Sequence, residues 1–164
     1  MIVKIKKLSG AAIMPTKATR GSAAYDLYAP CDMRIKPGRQ IIDMMFAIEL
    51  PLGYEAKIEP RSGYSSKGFA GSEYEGHEPT ERFDCDVLLG KIDSDYRGPI
   101  GVIVNNRHCP TDIDGHPRRC SFYIKRGQRI AQMTIYKSED ADLREVDELS
   151  DTERGTGGFG HTGK

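Results

Sequence analysis

The chain has 164 residues, of which 38% are hydrophobic and 29% charged, and its 24 basic side chains balance 24 acidic ones. That length suits one domain, and the apolar content is too high for a disordered chain. Zero net charge argues against a long polyanion such as nucleic acid as a direct partner, whereas a small phosphate ligand needs only a local basic site.

The first seven residues alternate apolar and cationic side chains and lack the apolar core of a signal peptide. No apolar run approaches the ~20 residues of a membrane span. A soluble, cytoplasmic protein is therefore expected. Strand signals dominate most of the chain. Residues 2–5, 33–35, 40–42, 46–50, 55–59, 87–89, 100–104, 121–124 and 129–135 are short, β-prone and often alternating, with Gly, Pro, Asp and Asn between them. Many short strands with regular turn signals predict an all-β sandwich or barrel. The best helix candidate is one turn after Ser62, through residues 64–67, with Ser62 as its cap and an anion favoured nearby.

Four polar clusters and a glycine-rich tail stand out along this framework. Asp26 lies among apolar and tyrosine neighbours, which suits a buried carboxylate paired with an arginine. Pro60-Arg61-Ser62-Gly63 on its own is a plain turn. Residues 90–98, Gly-Lys-Ile-Asp-Ser-Asp-Tyr-Arg-Gly, set two glycines around Asp93 and Asp95 and predict the tip of a hairpin whose arms are residues 87–89 and 100–104. Gln132 interrupts an apolar strand, and a buried amide needs partners. The tail from Gly155 to Gly160 spells GxGxxG. With no strand-to-helix context and no acidic residue further on, it cannot be a dinucleotide fingerprint. Five glycines in the last ten residues describe a flexible arm instead.

Two segments break the pattern and read as loops: residues 69–86, with an acidic bias, and residues 105–119, a long hairpin loop. Cys31, Cys85, Cys109 and Cys120 follow no disulfide-scaffold spacing, so reduced thiols are expected. His108, Cys109, His116 and Cys120 supply two Cys and two His. An adjacent His-Cys pair is not usual ligand spacing for zinc, and a solvated loop is the expectation.

Taken in order, residues 24–29, 60–63, 90–98, 127–132 and 154–164 resemble the five ordered motifs of the trimeric dUTP pyrophosphatase (dUTPase) family, and they span nearly the whole chain. The resemblance implies a jelly-roll-like β-barrel over residues 1–152 and a nucleotide-closing arm over residues 153–164. It implies hydrolysis of dUTP to dUMP and pyrophosphate, which limits uracil incorporation into DNA and supplies dUMP for thymidylate synthesis. Asp93 would be the general base. Tyr96 would pack on the deoxyribose and exclude a 2′-hydroxyl, while the backbone around Val87, Gly90 and Ile92 would read the uracil. Arg61, Ser62, Gly63 and Gln132 would hold phosphate, joined by Arg154, Phe159, Gly160, His161 and Thr162 of the arm. Asp26 would pair with Arg61. Asp95, two residues beyond Asp93, points to the opposite face of a strand and is read from its position as structural, binding backbone amides of the turn. Mg2+ would arrive on the triphosphate with no direct protein ligand, touching Asp26 and Gln132 through water. The family also implies a homotrimer with each site built from three chains.

This sequence departs from the family at His161, where a serine is usual, and in the segment before Gly90. The two irregular segments suggest a viral or phage-type member, active in a host cytoplasm, whose residues 69–86 and 105–119 dock a host or repressor protein. The related dCTP deaminase is a third reading. It is disfavoured because the Asp-Ser-Asp-Tyr-Arg-Gly turn and the Phe-bearing tail match the pyrophosphatase better.

Overall fold

A computed structural model describes residues 1–109 and 120–157. The described residues are almost entirely strand and connection, with one six-residue helix, α1 (Ser62–Lys67). The all-β, jelly-roll-like expectation holds, with the strands distributed over five sheets. No helix among the described residues is long and apolar enough to cross a membrane.

The four-stranded sheet is the platform for the site. Its order is β10 (Gly90–Ile92), β6 (Tyr54–Glu59), β13 (Arg129–Lys137) and β2 (Tyr25–Tyr28), with all neighbours antiparallel. Period-2 alternation explains its two faces. Ala56 and Ile58 of β6 and Met133 of β13 are buried, whereas Glu59, Gln132 and Thr134 are only half-buried on the other side. A second sheet pairs β11 (Gly101–Asn106) with β4 (Gly38–Asp43) on one edge and β9 (Cys85–Val87) on the other. Alternation in β11 sends Val102, Val104 and Asn106 inward.

An aromatic stack fills the core beside α1. Phe83 lies face to face with Phe122 at 4.3 Å, Phe122 meets Phe69 at 5.7 Å, and Phe69 meets Tyr64 of α1 at 4.4 Å. These spacings lie within or close to the range in which aromatic pairs add to simple area burial. Gly68 ends the helix at φ +83°, a conformation that side chains rarely adopt.

Several expectations need correction. Residues 90–92 are a strand on β6, and the turn proper begins at Asp93, where the amide of Tyr96 donates to the carbonyl of Asp93 at 3.2 Å. The expected arms do pair, since Val87 faces Val104, but β10 then crosses to the other sheet. Ser62 is the first helical residue, not the cap; Arg61 occupies that position at φ −75°, ψ 140°, with no side-chain cap bond. Residues 69–86 are not a loop: they hold β7 (Phe69–Gly71), β8 (Glu81–Phe83) and most of β9. The strand signals give no hint of β2. Cys109 and Cys120 are joined sulfur to sulfur, against the expectation of four reduced thiols. Position 116, one of the four weighed zinc ligands, lies outside the described residues.

Candidate active site

Three elements distant in sequence converge on one cleft of about 650 Å³. β2 contributes Asp26, the β6–α1 junction contributes Glu59, Arg61, Ser62 and Gly63, and β13 contributes Gln132, Thr134 and Tyr136. Register explains the convergence: Gln132 faces Asp26 across one ladder and Glu59 across the other.

Asp26 is 9% exposed and is held by two cations. Arg61 Nε donates to its Oδ1 at 3.0 Å, and Arg129 Nη1 lies 3.5 Å from its Oδ2. Burying a carboxylate this deeply requires such pairing. The Arg61–Asp26 pair meets the expectation, but the contribution of Arg129 goes beyond it. The N–H groups of Ser62 and Gly63 open the helix and have no intrahelical acceptor. Behind them, Tyr64 fixes the helix to the sheet, donating from its hydroxyl to the carbonyl of Arg129 at 2.7 Å. Gln128 Nε2 donates to that hydroxyl at 3.1 Å, and burial pushes the phenol's pKa up. Glu59 accepts from Thr134 Oγ1 at 3.1 Å and Tyr136 Oη at 3.4 Å, closing the far wall. Period-2 spacing of Gln132, Thr134 and Tyr136 is the sequence signal that could have found this wall.

Asp93 lies elsewhere. It lines a second cleft, of about 460 Å³, with Tyr54, Glu55, Lys91, Ser94 and residues 138–140. The two clefts share no lining residue. Because Ile92 pairs with Ala56, Asp93 lies level with Glu55, six positions from Arg61. At strand rise that is about 20 Å. A side chain so far from Arg61 cannot reach its cleft within one chain.

The turn carrying Asp93 is held by its own groups. Arg97 Nη1 donates to the carbonyls of Ser94 at 2.6 Å and Tyr96 at 2.9 Å, and Tyr96 Oη donates to the carbonyl of Pro99 at 3.1 Å. Asp95 is exposed and has no hydrogen bond among the described residues, so it does not bind the turn's amides; the turn is held through its carbonyls by Arg97. Tyr96 folds over Gly98 so closely that a Cβ there would collide with its hydroxyl and ring. In sequence Gly98 reads only as a turn boundary, and this close approach is invisible in one dimension. Gly90 and Ile92 lie on β10, Ile92 being buried; Val87 is buried on β9 and lines a third cleft, of about 440 Å³, with Pro60, Tyr64 and Ser65. Arg154 donates from Nε to the carbonyl of Gly157 at 2.8 Å. Phe159, Gly160, His161 and Thr162 lie outside the described residues.

The irregular segments meet each other. His108 packs edge-on against Phe83 at 4.9 Å, and Arg107 pairs with Asp84 at 2.8 Å and Asp86 at 2.6 Å.

Comparison with known proteins accounts for this constellation. The dUTPase family model matches residues 11–74 and 84–163. The chain is 43% identical to the deoxyuridine 5'-triphosphate nucleotidohydrolase of Nautilia profundicola, covering all of both chains. It is 40% identical to the corresponding protein of Arabidopsis thaliana, covering 98% of this chain and 82% of that one. Among solved structures, the dUTPase of Staphylococcus bacteriophage 80alpha with dUPNHPP superposes with a TM-score of 0.78 at 28% identity and 99% coverage of each chain. Full-length identity, the matched family model and the shared fold agree: the chain belongs to the dUTPase family.

Proposed function

We infer that this chain hydrolyses dUTP to dUMP and pyrophosphate, by attack of water at the α-phosphorus, in sites shared between the copies of a homotrimer. The observation that carries the reading is the single cleft in which Asp26, Arg61, Ser62, Gly63 and Gln132 meet, three of the five motifs brought together from three elements. Arg61, anchored by Asp26, supplies positive charge to the phosphates, and the opening amides of α1 supply donors. Gln132 donates its amide from the floor. Asp93 orients and deprotonates the attacking water, and Tyr96 covers the deoxyribose. The backbone about Val87, Gly90 and Ile92 pairs with the uracil edge.

The ~20 Å between Asp93 and Arg61 along one chain supports completion of the site by a neighbouring copy. Residues 138–157 support it further. Residues 138–156 run exposed, and Leu143 and Leu149 are 92% and 88% exposed, with Val146 between them. Apolar side chains left bare on the approach to the arm suit a surface covered by a neighbouring copy. On this reading residues 1–152 form the body. The arm, residues 153–164, brings Arg154, Phe159, Gly160, His161 and Thr162 to the nucleotide.

The donors in the Asp26 cleft are oxygens of two carboxylates and an amide, which suit a hard cation, and Arg61 already neutralises Asp26. That set fits Mg2+ carried by the triphosphate and touched by Asp26 and Gln132 through water. When bound, the ion supplies charge neutralisation on the phosphates.

Asp93→Asn tests the reading. It removes the base while preserving shape, so nucleotide affinity by calorimetry should stay within about twofold while kcat falls by about 100-fold or more. Normal turnover would overturn the assignment.

A second reading, a protein-docking face on residues 69–86 and 105–119, is favoured by the contacts between these segments and by the break in the family match across residues 75–83. Deleting residues 75–79 of the β7–β8 connection, which leaves β8 and Phe83 in place, should leave dUTP turnover intact and abolish capture of a partner. Unchanged capture would sink the reading.

A further inference from the structure

The surroundings of the four cysteines sort them into different chemical classes. Cys85 is 3% exposed on β9, and burial pushes its thiol up to about 12. Such a group holds almost no thiolate near neutrality and is inert as a nucleophile. Cys31 is half-buried and unbridged. Cys109 and Cys120 are eleven positions apart in sequence, yet their Cα atoms lie 4.3 Å apart and their sulfurs are bonded.

Contacts that involve no sulfur hold both ends of this pair. β11 ends at Asn106, 2% exposed, whose Nδ2 donates to the carbonyl of Cys120 at 2.9 Å and to that of Ile35 at 3.3 Å. Its Oδ1 accepts from the amide of His108 at 2.9 Å. Arg107 is tied to Asp84 and Asp86, and the His108 ring meets Phe83. Just before β12 (Phe122–Ile124), Ser121 is 2% exposed and accepts from Arg34 Nε at 2.8 Å, and Phe122 follows it into the aromatic stack. The main chain at Cys109 and Cys120 is therefore positioned at the short end of disulfide span by packing and hydrogen bonds, whatever the state of the sulfurs. Neither cysteine lines the Asp26 or the Asp93 cleft.

We propose that Cys109 and Cys120 form a reversible dithiol–disulfide modification site whose oxidant is a small-molecule disulfide of the glutathione class. The thiolate of one cysteine attacks a sulfur of oxidised glutathione; the glutathione S–S bond breaks and one glutathione leaves as a thiolate that takes up a proton. The thiolate of the other cysteine then attacks the protein sulfur of the mixed disulfide, closing the Cys109–Cys120 bond and expelling the second glutathione. Two electrons pass from the protein thiols to the oxidant, and excess reduced glutathione runs both steps backwards. The closed bond ties the β11–β12 connection at its base and restricts the unfolded chain.

The test equilibrates the full-length protein in graded ratios of oxidised to reduced glutathione, traps thiols with N-ethylmaleimide, and maps peptides by mass spectrometry with thermal unfolding on the same samples. A Cys109–Cys120-linked peptide should grow with the oxidised fraction while Cys85 in the folded protein stays unmodified. The oxidised protein should melt about 5 °C above the dithiothreitol-reduced one. That difference should vanish in the Cys109→Ser/Cys120→Ser variant, with dUTP turnover unchanged. Full alkylation of both cysteines in oxidised glutathione alone overturns the proposal, as do glutathione adducts without the linked peptide or equal melting temperatures. Stoichiometric zinc that shields both thiols until chelation also overturns it, since the pair would then be a metal site.

Discussion

Tyr96 and Gly98 illustrate how much of the site is set by single side chains. The tyrosine lies back over the glycine, its hydroxyl reaching the carbonyl of Pro99, and any Cβ at position 98 would strike that hydroxyl and ring. Gly98→Ala should therefore push Tyr96 off its position and raise KM for dUTP by about tenfold with a smaller change in kcat, because a binding surface is displaced and the base is not. Steady-state kinetics decide it; an unchanged KM would mean that Tyr96 does not bear on the sugar. At this scale the sequence is partly legible. A carboxylate among apolar neighbours announces a buried pair, and Asp26 has one with Arg61. The second cation, Arg129, cannot be told from surface charge in one dimension. Serine favours the cap position, which points to Ser62, but the chain enters the helix one residue earlier, at Arg61.

Short elements are the harder ones to read. Alternating apolar residues reveal β4, β6, β11 and β13, each six residues or longer. β7 and β8 have three residues apiece and no β-branched side chain, so they look like loop in the sequence, whereas the equally short β12 carries Phe, Tyr and Ile. β10 looks like turn because glycine begins it, yet it pairs with β6 in full register. What secures β10 is partly electrostatic. Lys91 binds Glu55 Oε2, with Lys57 3.3 Å from Oε1, and the hydrogen bond from Lys91 is the main reason that Glu55 titrates below the usual carboxylate range. A carboxyl lowered in the folded state contributes stability above its unfolded pKa and loses it as pH falls through its folded value. Lys91→Met removes that contribution, so acid unfolding followed by circular dichroism should shift its midpoint to higher pH. An unmoved midpoint would show that the pair does not hold the strand.

For the molecule as a whole, the order of motifs is legible and their distribution in space is not. A linear sequence presents Arg61 and Asp93 as parts of one site, whereas the strand register puts them at opposite ends of β6, in clefts with no common residue. Glycine-bracketed clusters mark where chemistry belongs, but which copy supplies each cluster depends on pairing that no local pattern encodes. The proposed trimer reconciles the two views, since a neighbour's Asp93 turn can reach a cleft that its own chain cannot. Subunit mixing measures this directly. Arg61→Gln and Asp93→Asn variants, each inactive alone, are dissociated, combined in equal amounts and reassembled. Sites shared between copies should recover about one quarter of wild-type dUTP turnover, because an intact cleft and an intact neighbouring turn meet at random. Turnover that stays at the level of the separate variants after verified exchange would place the whole site within one chain and contradict the account.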